Sequence, residues 1–226
     1  MNSSGHTLKG KKTMKRIFET LGQIGLIPII TIDRPEDAMP LACALLDGGI
    51  GCAEITFRTA AAAEAIRIIT GELRDMLVGA GTVLTVQQAE LAVGAGAQYI
   101  VSPGFDAAVV DWCQEHHVAV LPGVATPTEI NMALVRELKL LKFFPAEELG
   151  GVRMLKALYG PYHEVRFIPT GGINANNLPE YLALPNVAAC GGSWMATSSM
   201  IAEGRFDEIA RLAGEARAIV RRSHGE

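Results

Sequence analysis

Lys142 sits in the stretch LKLLKFFPAEE (138–148), flanked by Leu140, Leu141, Phe143 and Phe144. An amine inside an apolar run is costly to bury unless it is paired or has lost its proton, so its placement demands a purpose. Strand side chains alternate faces with a period of two, which sets Leu140, Lys142 and Phe144 against Leu141 and Phe143. In EITFRT (54–59) the same alternation sends Glu54, Thr56 and, if the strand continues, Arg58 one way, with Ile55 and Phe57 opposite. Lys142, Glu54 and Arg58 could then meet inside the fold. Desolvation and a neighbouring cation leave such an amine a neutral fraction able to attack a ketone. The iminium so formed is an electron sink, and a carbanion can develop at the adjacent carbon. Glu54 would move the protons this requires, and Arg58 would clamp a carboxylate beside the carbonyl. The competing reading is a buried Glu54–Lys142–Arg58 ion network that only fixes the fold, and the pattern alone leaves both open.

A second chemical signal lies later in the chain. PTGGIN (169–174) and CGGSW (190–194) put small residues directly after two strand-like runs. Glycine lets backbone N–H groups approach an anion, and Ser193 can add its hydroxyl; the alternative is a pair of tight turns. GAGTVL (79–84) lacks the third glycine of a dinucleotide fingerprint, and its glycines instead bring Thr82 close to a substrate. His116, His117 and His163 show no ligand spacing and are expected at the surface, while Trp194 is expected to pack. Glu147 and Glu148 are expected as loop charges at the rim, with Glu147 close enough to Lys142 to influence it.

These residues need elements to hold them. Strand-like runs occur at 26–32, 52–57, 76–83, 97–103, 117–124, 138–146, 164–171 and 186–193, separated by helical stretches. Asp33 and Thr126 are positioned to cap helices, and Gly48, Gly49 and Gly94 to end them. Near-continuous apolar strands alternating with helices imply a parallel sheet covered by helices. A doubly wound sheet meets that description too, but eight runs and a length near ~250 residues favour a (β/α)8 TIM barrel, an α/β fold. No linker divides the chain, so one barrel domain is expected over 16–226, entered by a short N-terminal helix and preceded by a disordered or tag-like extension over 1–15. In such barrels the chemistry gathers at the C-terminal ends of the strands. Glu54, Arg58, Thr82, Pro103, Lys142, Thr170 and Ser193 all fall there.

Composition narrows the function. A net charge of −4 over 226 residues gives no basis for binding nucleic acid or an anionic membrane, and the basic run at Lys9, Lys11, Lys12, Lys15 and Arg16 reads as a solvated tail. Cys43, Cys52, Cys113 and Cys190 are dispersed, which suits neither a disulfide scaffold nor a zinc site. With no spanning segment and no secretory signal, a cytoplasmic protein is expected.

In order along the chain, EITFRT, GAGTVL, SPG (102–104), GVATPTE (123–129), KFFPAE (142–147), PTGGI and GGSW resemble the 2-keto-3-deoxy-6-phosphogluconate (KDPG) and 4-hydroxy-2-oxoglutarate (KHG) aldolases, from about Ile24 to beyond Trp194. The resemblance implies a class I aldolase with no metal and no cofactor, of the Entner–Doudoroff type and usually a homotrimer, acting on a small keto-acid phosphate. It implies Lys142 as the Schiff-base residue, Glu54 as acid and base, and Arg58 and Thr82 at the pyruvyl carboxylate and oxygen. Pro103 and Phe144 would line the pocket, with Thr170, Gly171, Gly172, Gly192 and Ser193 holding the distal hydroxyls and phosphate. Three alternatives stand beside this: an aldolase for the galactonate epimer, a metal-dependent phosphosugar epimerase, and a non-catalytic phosphosugar-binding barrel. The epimerase would need His and Asp ligands at strand ends, which the sequence does not supply.

Overall fold

The structure, a computed structural model, describes residues 3–225, with side chains from residue 12 onward. Lys9 and Lys11 of the basic run fall outside the described side chains. The first helix, α1 (Ser3–Ile24), is longer than the short entry helix expected and is already helical across the stretch expected as an extension. It ends where Gly25 turns to φ +73°, a left-handed conformation that glycine adopts without penalty.

Parallel strands then alternate with helices. The strands are β1 (Leu26–Ile30), β2 (Cys52–Thr56), β3 (Leu77–Gly81), β4 (Tyr99–Val101), β5 (Ala119–Leu121), β6 (Gly123–Val124), β7 (Leu140–Phe143), β8 (Arg166–Pro169) and β9 (Cys190–Gly192). One sheet runs in the order β5-β4-β3-β2-β1-β9 and a second in the order β6-β7-β8, every pairing parallel. The expected fifth run is divided by Pro122, which has no N–H for the ladder. Its carbonyl still accepts from the Lys142 N–H at 3.0 Å. On the other side, single bridges pair Phe167 with Val187 and Thr170 with Gly191, linking β8 and its following turn to the β9 region.

The helices are α2 (Ala38–Asp47), α3 (Ala62–Glu72), α4 (Val86–Gly94), α5 (Ala107–Glu115), α6 (Pro127–Leu134), α7 (Gly151–Tyr159), α8 (Leu178–Leu182), α9 (Ser198–Ala202) and α10 (Phe206–His224). Thr126 caps α6 in a full capping box with Glu129, two donors satisfied reciprocally. Asp33 caps nothing: a 3-10 turn at Pro35–Asp37 precedes α2 instead. Gly94 is the last residue of α4, and Gly96 at φ +105° provides the left-handed turn beyond it. The alternation expected around Lys142 is observed. Leu141 and Phe143 are fully buried with the helix-side core, where Phe143 meets Phe167 edge to face with centroids 6.1 Å apart.

Candidate active site

β7 and β2 bring two buried charged side chains together. Lys142 Nζ donates to Glu54 Oε1 at 3.3 Å, with the side chains only 6% and 4% exposed. The distance exceeds the ~2.7–2.9 Å of a tight charge-assisted bond, so neither partner is locked against serving a third group. The Nζ also lies 5.3 Å from the centre of the Phe144 ring, within the ~6 Å range of a cation–π contact. Phe144 follows the last strand residue and turns its ring toward the amine.

Glycine makes the room for this pair. A Cβ at Gly81, on β3 beside β2, would stand 2.6 Å from Glu54 Cγ and 2.7 Å from its Cδ. The carboxylate therefore occupies the space of a missing side chain. Gly79 does the same for Tyr99, whose ring would collide with any Cβ there and whose hydroxyl donates to the Ala53 carbonyl at 3.1 Å. Gly81→Ala is expected to lower turnover about 10²-fold by displacing Glu54, with the melting temperature much less affected. Steady-state kinetics beside thermal unfolding check this, and a variant as active as the parent would show that Glu54's position is not critical.

Phe144 also borders a cavity of about 260 Å³, whose lining includes neither Lys142 nor Glu54. Of the expected substrate residues, Arg58, Phe144, Thr170, Gly171, Gly172, Gly192 and Ser193 line it. Thr82 and Pro103 do not. Thr82 follows β3 in a left-handed conformation at φ +56°, and the Pro103 carbonyl packs against Gly123. Arg58 does not join the buried pair. β2 ends at Thr56, the chain turns, and Arg58 reaches the cavity as an exposed side chain with no hydrogen bond or ion pair among the described residues. The three-membered network considered from the sequence is thus a pair, with a cation available to a ligand.

The Gly171–Gly172 turn has a geometry that can accept an anion. Both residues have positive φ, 101° and 78°. Among the described residues the N–H groups of Gly171, Gly172 and Ile173 donate to no protein acceptor, and all three residues border the cavity. Consecutive unpaired N–H groups in such a turn form an anion-binding concavity.

Sequence reasoning passed over Thr31, Thr197 and Ser198, whose hydroxyl-bearing side chains also border the cavity. Thr31 shared the alternation of Ile29 in the first run and was legible on that basis; its hydroxyl pairs with that of Thr56 at 2.9 Å. Among the described residues no group of three or more His, Cys, Asp or Glu is placed to hold a metal ion, and no helix is long and apolar enough to cross a membrane. Cys52, Cys113 and Cys190 are buried, and burial pushes the first two thiols up to about 12.

A family model described as KDPG and KHG aldolase matches residues 17–212. The 2-dehydro-3-deoxy-phosphogluconate aldolase of Treponema pallidum (strain Nichols) is 54% identical over 207 residues, which span 92% of this chain and 99% of that protein. The KHG/KDPG aldolase of Escherichia coli (strain K12) is 41% identical over 209 residues, 92% of this chain and 97% of its own. Among solved structures, a KDPG aldolase from Legionella pneumophila, with pyruvate captured at low pH as a covalent carbinolamine intermediate, superposes with a TM-score of 0.84 at 41% identity, covering 88% of this chain and 95% of that one. On the family model and these relatives, the chain belongs to the KDPG and KHG aldolase family.

Proposed function

We propose that this protein reversibly cleaves 2-keto-3-deoxy-6-phosphogluconate to pyruvate and glyceraldehyde 3-phosphate by class I chemistry, and also cleaves 4-hydroxy-2-oxoglutarate to pyruvate and glyoxylate. The observation that carries the reading is the buried Lys142–Glu54 pair, 3.3 Å apart and adjoining the cavity through Phe144. The covalent pyruvate adduct of the Legionella relative supports the same lysine chemistry.

Glu54 accepts a proton from the Lys142 ammonium, and the free amine adds to the C2 ketone. The resulting carbinolamine loses water as Glu54 returns that proton to the departing hydroxyl, leaving an iminium and a free carboxylate. Arg58 pairs with the adjacent carboxylate; Thr82 and Pro103, which follow β3 and β4 outside the cavity's lining, take the pyruvyl end on the family resemblance alone. Glu54 then takes the proton of the C4 hydroxyl, directly or through a water. The C3–C4 electrons pass into the iminium, the aldehyde departs, and an enamine of pyruvate remains. Protonation at C3 and addition of water to the iminium return pyruvate and the free lysine. At the far end, the Gly171–Gly172 turn, Gly192, Thr170 and Ser193 hold the phosphate and the distal hydroxyls.

We assign the gluconate substrate ahead of its galactonate epimer on the resemblance of the KFFPAE segment; steady-state rates on the two epimers decide between them. The same proposal takes residues 16–226 as one closed (β/α)8 barrel. β5 and β6 are consecutive segments of one strand around Pro122, each paired to a different sheet, and the bridges from the β8 side to β9 support closure. It further takes the enzyme to be a homotrimer in a pathway of the Entner–Doudoroff type, as the family resemblance implies, and to be cytoplasmic.

Borohydride reduction in the presence of pyruvate, followed by peptide mass spectrometry, tests the mechanism. The expected product is a reduced pyruvate adduct on Lys142 alone. Folded protein that yields no lysine adduct would instead make this a phosphosugar-binding barrel with a structural ion pair.

A further inference from the structure

Glu147 closes the KFFPAE segment, and the chemistry above gives it no task. Its carboxylate does not reach toward Lys142. Instead, Tyr181 donates its hydroxyl to Glu147 Oε1 across 34 positions of sequence. Glu147 is exposed at the surface, whereas Tyr181, on α8, is fully buried. Burial, reinforced by the bond to Glu147, pushes the phenol well above its ordinary range and keeps it a donor.

The pair borders the anion-binding turn. A Cβ at Gly172 would lie 2.6 Å from Glu147 Cβ, so the acid's stem fills the space beside that glycine. The Glu147 N–H donates to the Gly171 carbonyl at 3.2 Å, and the preceding Ala146 N–H to the Thr170 carbonyl at 2.8 Å. Where α7 begins, a Cβ on Gly151 would meet Tyr181 Oη at 2.6 Å and Glu147 Oε1 at 2.9 Å. The loops after β7 and β8, the start of α7 and the body of α8 thus converge on one side-chain bond. Beside this bond, Gly171 and Gly172 line the cavity with N–H groups that donate to no protein acceptor among the described residues.

We infer that Glu147 and Tyr181 are positioning residues for the phosphate end of the substrate, acting through the Gly171–Gly172 turn and not on the reacting carbons. This rests on the phosphosugar reading above. It separates the two substrates: only the phosphorylated one uses the turn.

Tyr181→Phe and Glu147→Ala are expected to raise KM for the phosphorylated substrate about five- to tenfold, the weight of one hydrogen bond. The kcat on that substrate, and kcat/KM on 4-hydroxy-2-oxoglutarate, should each change by less than about twofold. Glu147→Gln keeps an acceptor for the phenol and should restore KM. Titration calorimetry with inorganic phosphate supplies a readout independent of catalysis, with affinity falling by the same factor in Tyr181→Phe and Glu147→Ala. Equal losses on both substrates, or unchanged KM and phosphate affinity in folded variants, overturn the inference. If the unmodified enzyme cleaves neither substrate, the aldolase reading fails by itself, and the phosphate titration still decides whether the pair orders the turn.

Discussion

Lys142→Met is expected to reduce aldol cleavage by at least about 10⁴-fold, to the level of binding without a nucleophile. Methionine keeps an unbranched stem of similar length, so it fills the same space beside Phe144 while removing the amine proposed to form the iminium. Without that electron sink no base can make the C3 carbanion accessible, and a correctly seated substrate stays intact. Pyruvate and borohydride should leave no adduct on the variant. The substitution also leaves Glu54 buried with no amine to meet, and removing one member of a buried pair costs about 3–5 kcal/mol. Loss of activity therefore has to be separated from loss of fold. Lys142→Met combined with Glu54→Gln removes both charges, so the double variant should melt above the single one while remaining inactive. Turnover by Lys142→Met close to that of the parent enzyme would refute Schiff-base chemistry at this residue, whatever the melting temperatures.

The placement of the buried pair was legible where one strand's periodicity decides the outcome. Lys142 between fully buried Leu141 and Phe143 can face only the interior, and Glu54 on β2 obeys the same rule. Arg58 escaped it because a period of two says nothing about where a strand stops. β2 ends two residues earlier, and the turn carries the guanidinium out to the cavity edge. Pro122 was visible in the sequence, yet its division of the fifth strand between two sheets depends on which neighbours each half meets. The glycine pairs announced turns, but the partner that steadies one of them did not. Glu147 and Tyr181 lie 34 positions apart, and only folding brings α8 against the loop after β7. Nor does the Ser-, Gly- and Lys-rich start of the chain carry an apolar stripe that would announce a helix beginning at Ser3.

Glu54→Gln tests the other half of the pair and is expected to lower kcat by about 10²–10⁴-fold, the usual worth of a positioned general acid–base. Glutamine is nearly isosteric, so it fits the space that Gly81 leaves, and its amide oxygen can still accept from Lys142 Nζ. What it cannot do is take up a proton. The loss should therefore fall on steps that move protons: release of the lysine amine, cleavage of the C4 hydroxyl's O–H bond and reprotonation of the enamine. Arg58 and the glycine turns are untouched, so KM should shift far less than kcat. The variant also dissects the reaction. Hydrogen exchange at the pyruvate methyl needs the iminium and a base but no aldehyde, and it should slow in parallel with cleavage. Borohydride trapping needs only the iminium, and at long incubation it should still label Lys142. An unchanged kcat with labelled Lys142 would move the base elsewhere in the cavity and leave Glu54 as the charge that allows a lysine to be buried. Parallel collapse of exchange and cleavage, with the adduct still forming, would assign the proton transfers to the carboxylate 3.3 Å from the amine.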